Sequence, residues 1–164
     1  MIQTGRYWVD ANVFIWGNRE PYPLPGARSY WDWFETQIDA GKIISHWKSV
    51  DEVIEGDKKT EHESIVQWVK TRKSKIIAPA DTEECQRLVG EMCQYSYEQF
   101  GSVKTVEFTK GADLFLIARA KLDSGAVVTQ ENTKKLVRIP TVCTAFGVRH
   151  MSIFEMNREL RMTL

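Results

Sequence analysis

Short apolar segments alternate with longer amphipathic segments along most of this chain. The short segments include Tyr7-Trp8-Val9 and Ala126-Val127-Val128, which have the continuous apolar character of strands buried on both faces. The longer segments place apolar residues three or four positions apart, which predicts helices with a buried face. The predicted strands are 6–10, 43–44, 76–78, 126–129 and 148–151, and the predicted helices are 29–40, 49–56, 61–71, one from 81, 112–122, 142–146 and 152–160.

This alternation of strands and helices is typical of an α/β fold with a mostly parallel sheet. We therefore expect a three-layer α/β/α sandwich, with residues 1–164 forming a single domain. Residues 17–26 carry three prolines and two glycines, which predicts an irregular loop. Asp81 with Glu84, and Ser152 with Glu155, have the spacing of capping boxes, so each pair is expected to begin a helix.

Composition and charge narrow the classes of function. Lys plus Arg and Asp plus Glu both number 22, so the formal net charge of zero argues against coating nucleic acid through bulk electrostatics. The three cysteines form no C-x-x-C pair, which argues against a disulfide framework or a zinc cage. The sequence shows neither a signal peptide nor a stretch of about 20 apolar residues, so we expect a soluble, cytoplasmic protein.

Four acidic residues occupy positions at which active sites commonly form in parallel sheets. Asp10 and Glu131 follow the first strand and the strand at 126–129, while Glu52 and Asp113 lie near helix starts. The carboxyl ends of parallel strands meet at one edge of the sheet, where sites form. We therefore expect these four acids to converge there.

Each acid also has a structural explanation. Asp10 or Asn12 could cap a helix that begins near Val13, and Glu52 is spaced from Ser49 as in a capping box. Asp113 could favour the positive end of its helix dipole, and Glu131 could be a solvated loop residue. The four together are harder to explain in this way than any one alone.

A divalent cation would relieve the mutual repulsion of such a cluster. Mg²⁺ and Mn²⁺ prefer oxygen ligands and take a few carboxylates plus water. Without a cation, clustered carboxylates raise one another's pKa values. Bound metal of this kind activates water and holds a scissile phosphate, which is the chemistry of a phosphodiesterase.

Four segments that contain these acids resemble the motifs of PIN domains. They are D-A-N-V-F-I from Asp10, V-D-E-V from Val50, G-A-D-L-F-L-I-A-R-A from Gly111 and V-V-T-Q-E-N from Val127. Their order and spacing cover most of the chain. The ending R-I-P-T-V-C, followed by F-G-V, resembles a PIN-like branch that is often encoded beside an antitoxin-like gene.

The resemblance implies a Mg²⁺- or Mn²⁺-dependent endoribonuclease, as in VapC-type toxins of type II toxin–antitoxin pairs. It implies an RNA substrate and an antitoxin protein as partners, and it leaves a homodimer open. Carried over by position, the catalytic and metal-binding acids are Asp10, Glu52, Asp113 and Glu131, with Asn12 and Thr129 orienting them through hydrogen bonds. Glu55 lies one helical turn after Glu52 and remains an alternative for the second acid.

Residues near the fourth motif are candidates for substrate binding. Lys134, Lys135 and Arg138 follow Glu131 closely and could contact phosphates, although a solvated surface is the usual role of such a run. Trp16, which the prediction places in the loop after Asp10, could stack on a base. Trp8, Trp33 and Trp68 are assigned to the core, and the three histidines share no spacing that suggests catalysis.

Two other functions remain open at this stage. A non-catalytic PIN-like module would use the same fold to bind protein, with the acids in structural roles. A phosphatase would use Asp10 as a covalent nucleophile at the end of the first strand. Such enzymes usually have a second acid two residues later, where this chain has Asn12.

Overall fold

The computed structural model describes residues 5–56, 63–130 and 139–164. Within them, four strands form one sheet in the order β2-β1-β3-β4, and all neighbouring pairs are parallel. The central strand β1 pairs Tyr7 with both Ile43 and Ala126. The strands are β1 Tyr7–Val9, β2 Ile43–Ile44, β3 Ala126–Val128 and β4 Arg149–Met151.

Eight helices surround this sheet in the described part of the chain. They are α1 Ala11–Arg19, α2 Arg28–Asp39, α3 Trp47–Gly56, α4 Glu63–Ile76, α5 Glu83–Lys110, α6 Asp113–Asp123, α7 Ile139–Phe146 and α8 Ile153–Glu159. Helix α5 is interrupted at Gly101, where φ is 77°. The expected α/β fold with a parallel sheet is confirmed.

Successive residues of each central strand enter different hydrophobic cores. Val9 and Val128 belong to a core formed with α1, α2, α3, α4 and α8, whereas Trp8 and Val127 belong to a core formed with α5, α6 and α7. Side chains alternate between the two faces of a strand, so the two cores lie on opposite faces of the sheet. Helices therefore cover both faces, which gives the expected three layers.

Aromatic side chains fill much of the first core. Phe14, Trp31, Phe34 and Trp68 pack with ring centroids 5.3–6.4 Å apart, and none of the four is more than 8% exposed. Offset and edge-on pairs at these distances add to the free energy gained from burial. The assignment of Trp68 to the core is confirmed, as is that of Trp8, which is fully buried in the second core.

The amino-terminal edge of the sheet is held by Asp123 at the end of α6. Its carboxylate accepts hydrogen bonds from the Arg6 backbone N–H and guanidinium and, at 2.9 Å, from the indole Nε1 of Trp8. Asp123 is only 8% exposed, so an unpaired charge there would be costly. These bonds fix the end of α6 beside the start of β1.

Several boundaries differ from the sequence prediction: α5 extends to Lys110, and α7 begins at Ile139 and not at Val142. Helix α1 continues to Arg19, so the first residues of the expected loop at 17–26 are helical. Residues 76–78 form no full strand, because Ile76 ends α4 and Ile77 makes a single parallel bridge to Ser45. Helix α5 is capped by Thr82, whose hydroxyl accepts from the Cys85 N–H, and the expected cap at Asp81 is wrong. The Ser152–Glu155 capping box is present as expected.

None of the helices in the described ranges combines the length and the apolar character needed to cross a membrane.

Gly125 provides a test of the close approach between α6, β1 and β3. A Cβ at this position would lie 2.2 Å from the backbone oxygen of Arg6, which accepts the Ala126 N–H in the sheet. We expect Gly125→Ala to destabilise the protein by about 3 kcal/mol in urea unfolding, because backbone atoms must shift.

Gly90→Ala is the matched control, because Gly90 is an exposed residue of α5 with open space around its Cβ position. It should be neutral or stabilising by up to about 1 kcal/mol, since alanine favours a helix over glycine. Equal unfolding midpoints for Gly125→Ala and the wild type would contradict the close approach.

Candidate functional site

Asp10 lies at the carboxyl end of β1 and is held by neighbours on both sides. Its Oδ1 accepts from the Val13 N–H at 3.3 Å, so Asp10 is the N-cap of α1. Its Oδ2 accepts from the Thr129 hydroxyl at 2.6 Å. On the other side, the Ser45 hydroxyl donates to the backbone oxygen of Val9 at 2.6 Å. The residues that follow β2 and β3 therefore both fix the end of β1, where the Asp10 side chain is only 4% exposed.

Glu52 links α3 to the start of α6. Its Oε1 accepts from the Ala112 N–H at 3.3 Å, immediately before Asp113. Ala112 is the N-cap of α6, and Glu52 satisfies its backbone N–H from a distant element, as the acid of a capping box does for its own N-cap. Because α3 begins at Trp47 and Glu52 bonds to Ala112, the alternative of a capping box with Ser49 does not account for Glu52.

The direction of α6 determines where Asp113 lies. Asp123 at its end is bonded to the start of β1, and α6 packs against β1 and β3. A helix of 11 residues is about 16 Å long, whereas a three-residue strand rises only about 10 Å. The start of α6 therefore lies on the side of the carboxyl edge of the sheet, which is also the side of Asp10. Asp113 is half-buried there.

A cavity of about 450 Å³ lies beside this junction of α3 and α6. Glu52 and Glu55 both line it, so the cavity does not distinguish these two candidates for the second acid, although only Glu52 bonds to the start of α6. Its lining residues are Trp47, Lys48, Asp51, Glu52, Glu55, Gly111 and Ala112.

Part of the predicted site lies outside the described residues. Glu131, Lys134, Lys135 and Arg138 fall within 131–138, outside the described residues. Across the described ranges, no group of three or more His, Cys, Asp or Glu side chains is arranged to hold a metal ion. Asp10, Glu52 and Asp113 nevertheless supply carboxylate oxygens, the donor type that Mg²⁺ and Mn²⁺ prefer. The four-acid metal site stays a prediction.

Two other predicted site residues have clear positions. Asn12 is exposed on the first turn of α1. Trp16 lies within α1 and not in a loop, so its expected location was wrong. Its ring is half-buried and contacts Phe154 edge-on, with centroids 5.8 Å apart. The prolines and glycines at 17–26 predicted a loop here, although the apolar residues of α1 have helical spacing.

His46, which the sequence did not suggest, is buried in a charged cluster after β2. Its Nε2 lies 2.8 Å from Asp81 Oδ2, and Arg119 donates to Asp81 Oδ1 at 3.0 Å. Its Nδ1 accepts from the Lys48 N–H at 3.2 Å, and its ring stacks on Phe115 with centroids 4.9 Å apart. The cluster therefore connects the start of α3, the segment before α5, and α6.

The hydrogen bonds of His46 indicate a neutral ring. A protonated ring would place a second N–H against the Lys48 N–H, so the Nδ1 contact favours the neutral form with the proton on Nε2. Burial lowers the pKa of His46 and outweighs the opposing effect of Asp81. Burial alone would raise the pKa of Asp81, but its bonds with His46 and Arg119 bring that pKa below its usual value. An anionic Asp81 beside a neutral His46 satisfies all of these contacts.

The cysteines do not contribute a reactive thiolate to this cluster. Cys85 lies 3.8 Å from Asp81 Oδ1, and burial together with the nearby carboxylate raises the pKa of its thiol to about 11. A thiol with such a pKa stays protonated near neutral pH. None of the three cysteines, Cys85, Cys93 and Cys143, forms a disulfide.

The fold and this edge define a class of protein: an α/β domain with a four-stranded parallel sheet in the described residues and carboxylates at its carboxyl edge. The chain belongs to the family described as domain of unknown function DUF4411, whose model matches residues 7–164. Comparison with the curated proteins and with the solved structures gives no match.

The bond between Thr129 and Asp10 can be tested by removing the hydroxyl. We expect Thr129→Val to cost about 2 kcal/mol in urea unfolding, because a buried carboxylate loses a short hydrogen bond. Thr129→Ser keeps the hydroxyl and should lose no more than about 1 kcal/mol. Similar losses for the two variants would mean that packing of the methyl group, rather than the bond, stabilises this position.

The His46 cluster predicts a loss of stability on mild acidification. Because the pKa of His46 is lower in the folded chain, its contribution is complete above its ordinary pKa of 6.5 and declines as the pH falls below that value. Asp81 makes the corresponding contribution down to its own ordinary pKa of 3.8. The free energy of unfolding should therefore fall between pH 6.5 and about 5 chiefly through His46.

His46→Asn removes the titration and should flatten this slope, while lowering the stability at pH 7 by about 1–3 kcal/mol through the lost bond to Asp81. His150→Asn, which changes a histidine outside the cluster, is the matched control. A slope that persists in His46→Asn and disappears in His150→Asn would contradict the assignment.

Proposed function

We propose that this protein is a divalent-metal-dependent endoribonuclease related to PIN domains, which hydrolyses RNA phosphodiester bonds. The observation that carries the proposal is the short bond from Thr129 to Asp10, which joins the ends of β3 and β1 and orients a buried carboxylate. This pairing of an acid after the first strand with a threonine after a later strand is the one that the PIN resemblance implies.

The proposed ligands are Asp10, Glu52, Asp113 and Glu131. Mg²⁺ or Mn²⁺ bound by them would activate water and neutralise charge on the scissile phosphate. Asp10 is held by Thr129 and Val13, and Glu52 is held against the start of α6 by the Ala112 N–H. Fixed acids of this kind reduce the entropy lost when a ligand binds.

The charges around these acids also fit the proposal. Asp51, near Glu52, pairs with Lys73 at 3.3 Å, and this pair reduces the local negative charge that an approaching phosphate would meet. The proposed substrate contacts from Lys134, Lys135 and Arg138 would add positive charge. Asn12 would orient the acids through hydrogen bonds, as Thr129 does for Asp10. Trp16 is less suited to stacking than the sequence suggested, because its ring is half-buried against Phe154.

The biological setting that we propose is a cytoplasmic toxin of a type II toxin–antitoxin pair, with an antitoxin protein as partner. The support for this setting is the resemblance of the chain's ending to PIN-like proteins encoded beside antitoxin-like genes. A small neighbouring gene whose product binds this protein and blocks RNA cleavage is the expected finding.

A non-catalytic interaction module is the second candidate. Asp10 caps α1 and Glu52 satisfies the start of α6, so each has a structural role that needs no metal. An aspartate-nucleophile phosphatase is less favoured, because the Asp10 carboxylate is buried and both of its oxygens accept hydrogen bonds.

RNA cleavage by the purified protein with Mn²⁺ tests the main proposal. We expect Asp113→Asn to lower the cleavage rate about a hundredfold or more, because it removes a charge that acts on the reacting phosphate. Asp32→Asn, at an exposed position of α2, should cleave at the wild-type rate. Equal cleavage by Asp113→Asn and the wild type would show that the activity comes from a contaminant or from another site.

The unfolding temperature measured with and without Mn²⁺ distinguishes a metal-dependent nuclease from a non-catalytic interaction module. A site filled at 100 times its Kd stabilises the native state by about 2.7 kcal/mol, which would raise the unfolding temperature in Mn²⁺. The rise should be smaller in Asp113→Asn and unchanged in Asp32→Asn. No cleavage and no rise in the wild type would favour the module.

A further inference from the structure

The cavity beside Glu52 is lined by an exposed tryptophan, Trp47, whose ring centroid lies 5.7 Å from that of His46. Trp47 is the first residue of α3 and is 45% exposed, more than any other large aromatic residue in the described ranges. Trp31 and Trp68 are at most 8% exposed, so this chain buries other indoles well. Trp47 lines the same cavity as Glu52 and Ala112, one residue before Asp113.

Lys48 places a positive charge at the same cavity. Its Nζ lies 4.4 Å from the ring centroid of Phe115 and 5.7 Å from that of Trp47. Cation–π contacts at these distances hold the ammonium group against the two rings. Phe115 lies two residues after Asp113 on α6, so the charge is near the proposed acids.

His46 connects the backbone at Trp47 and Lys48 to α6. Its ring stacks on Phe115, and its Nδ1 accepts the N–H of Lys48, so the backbone at the start of α3 is tied to α6. Asp81 holds the other side of the ring. A binding surface that is already ordered loses less entropy when its ligand binds.

We infer that Trp47 and Lys48 hold an unpaired nucleotide of the RNA substrate beside Glu52 and Asp113, an inference that rests on the proposed function. An exposed indole face is the usual platform for a base, and a nearby ammonium group contacts the phosphate that follows it. Bases in a duplex are already stacked and offer no free face, so the cavity favours single-stranded RNA. Trp47 thereby takes the stacking role that the sequence assigned to Trp16.

The charges at the cavity limit which ligand fits. Asp51, Glu52 and Glu55 line it with Lys48, so an anion without an aromatic group would meet mostly carboxylates. Asp51 is paired with Lys73 at 3.3 Å. A nucleotide offers both a ring for Trp47 and a phosphate for Lys48, which free phosphate does not.

Binding measurements test this inference without requiring cleavage. The probe is a fluorescein-labelled single-stranded RNA of roughly 12 nucleotides, followed by fluorescence anisotropy in Ca²⁺ and checked for integrity on a denaturing gel. We expect Trp47→Ala to raise the Kd about tenfold, and Trp47→Phe, which keeps a ring, to stay within about threefold. Lys48→Gln should raise the Kd and reduce its dependence on salt.

Tyr97→Ala is the matched control, because Tyr97 on α5 is similarly exposed at 40% and does not line this cavity. It should bind like the wild type, and urea unfolding should show that all variants are folded. The same probe annealed to its complement should bind more weakly.

Wild-type affinity in Trp47→Ala, an equal loss in Tyr97→Ala, or preference for the duplex would overturn the inference. Its failure is distinguishable from failure of the nuclease proposal. If RNA binding depends on Trp47 but the protein shows no Mn²⁺-dependent cleavage, the proposed nucleotide site is supported and the nuclease proposal is contradicted. If the wild type cleaves RNA and Trp47→Ala binds it with wild-type affinity, the nuclease proposal is supported and the nucleotide site at Trp47 is contradicted.

Discussion

The position of β1 between two parallel neighbours is the constraint on which the rest of the structure depends. Its pairing with β2 and β3 brings the residues that follow three distant strands to one edge of the sheet. Ser45 then bonds to Val9 from one side, and Thr129 bonds to Asp10 from the other. A carboxylate that is buried in this way is stable only because the fold supplies donors for it.

Carboxylates are held by hydrogen bonds at both edges of the sheet. At the amino-terminal edge, Asp123 pairs with Arg6 and accepts the indole N–H of Trp8. At the carboxyl edge, Asp10 accepts from the Thr129 hydroxyl, and Glu52 accepts from the Ala112 N–H. These donors orient the two carboxylates, so a structural partner for each acid is compatible with a role in a site.

Local pattern predicted most elements well where burial was continuous. The strands around Val9 and Val128 and the apolar helix α6 follow from their composition, as does the Ser152–Glu155 capping box. The prediction was wrong where a side chain bonds to residues distant in sequence and not to its own helix. Asp81 has the spacing of a cap but bonds to His46 and Arg119, which leaves Thr82 to cap α5. Residues 76–78 have strand composition, yet α4 extends into them.

By itself, the sequence determined the layered α/β architecture and the candidate acids, because hydrophobic periodicity and the residues that end strands are local properties. Only the tertiary structure decided that Thr129 meets Asp10 and that Glu52 meets the start of α6, since these contacts join residues 119 and 60 positions apart. It also decided that Trp47 is exposed while Trp16 is half-buried. The exposure of a side chain depends on the distant residues that pack against it, so the neighbouring sequence does not predict it.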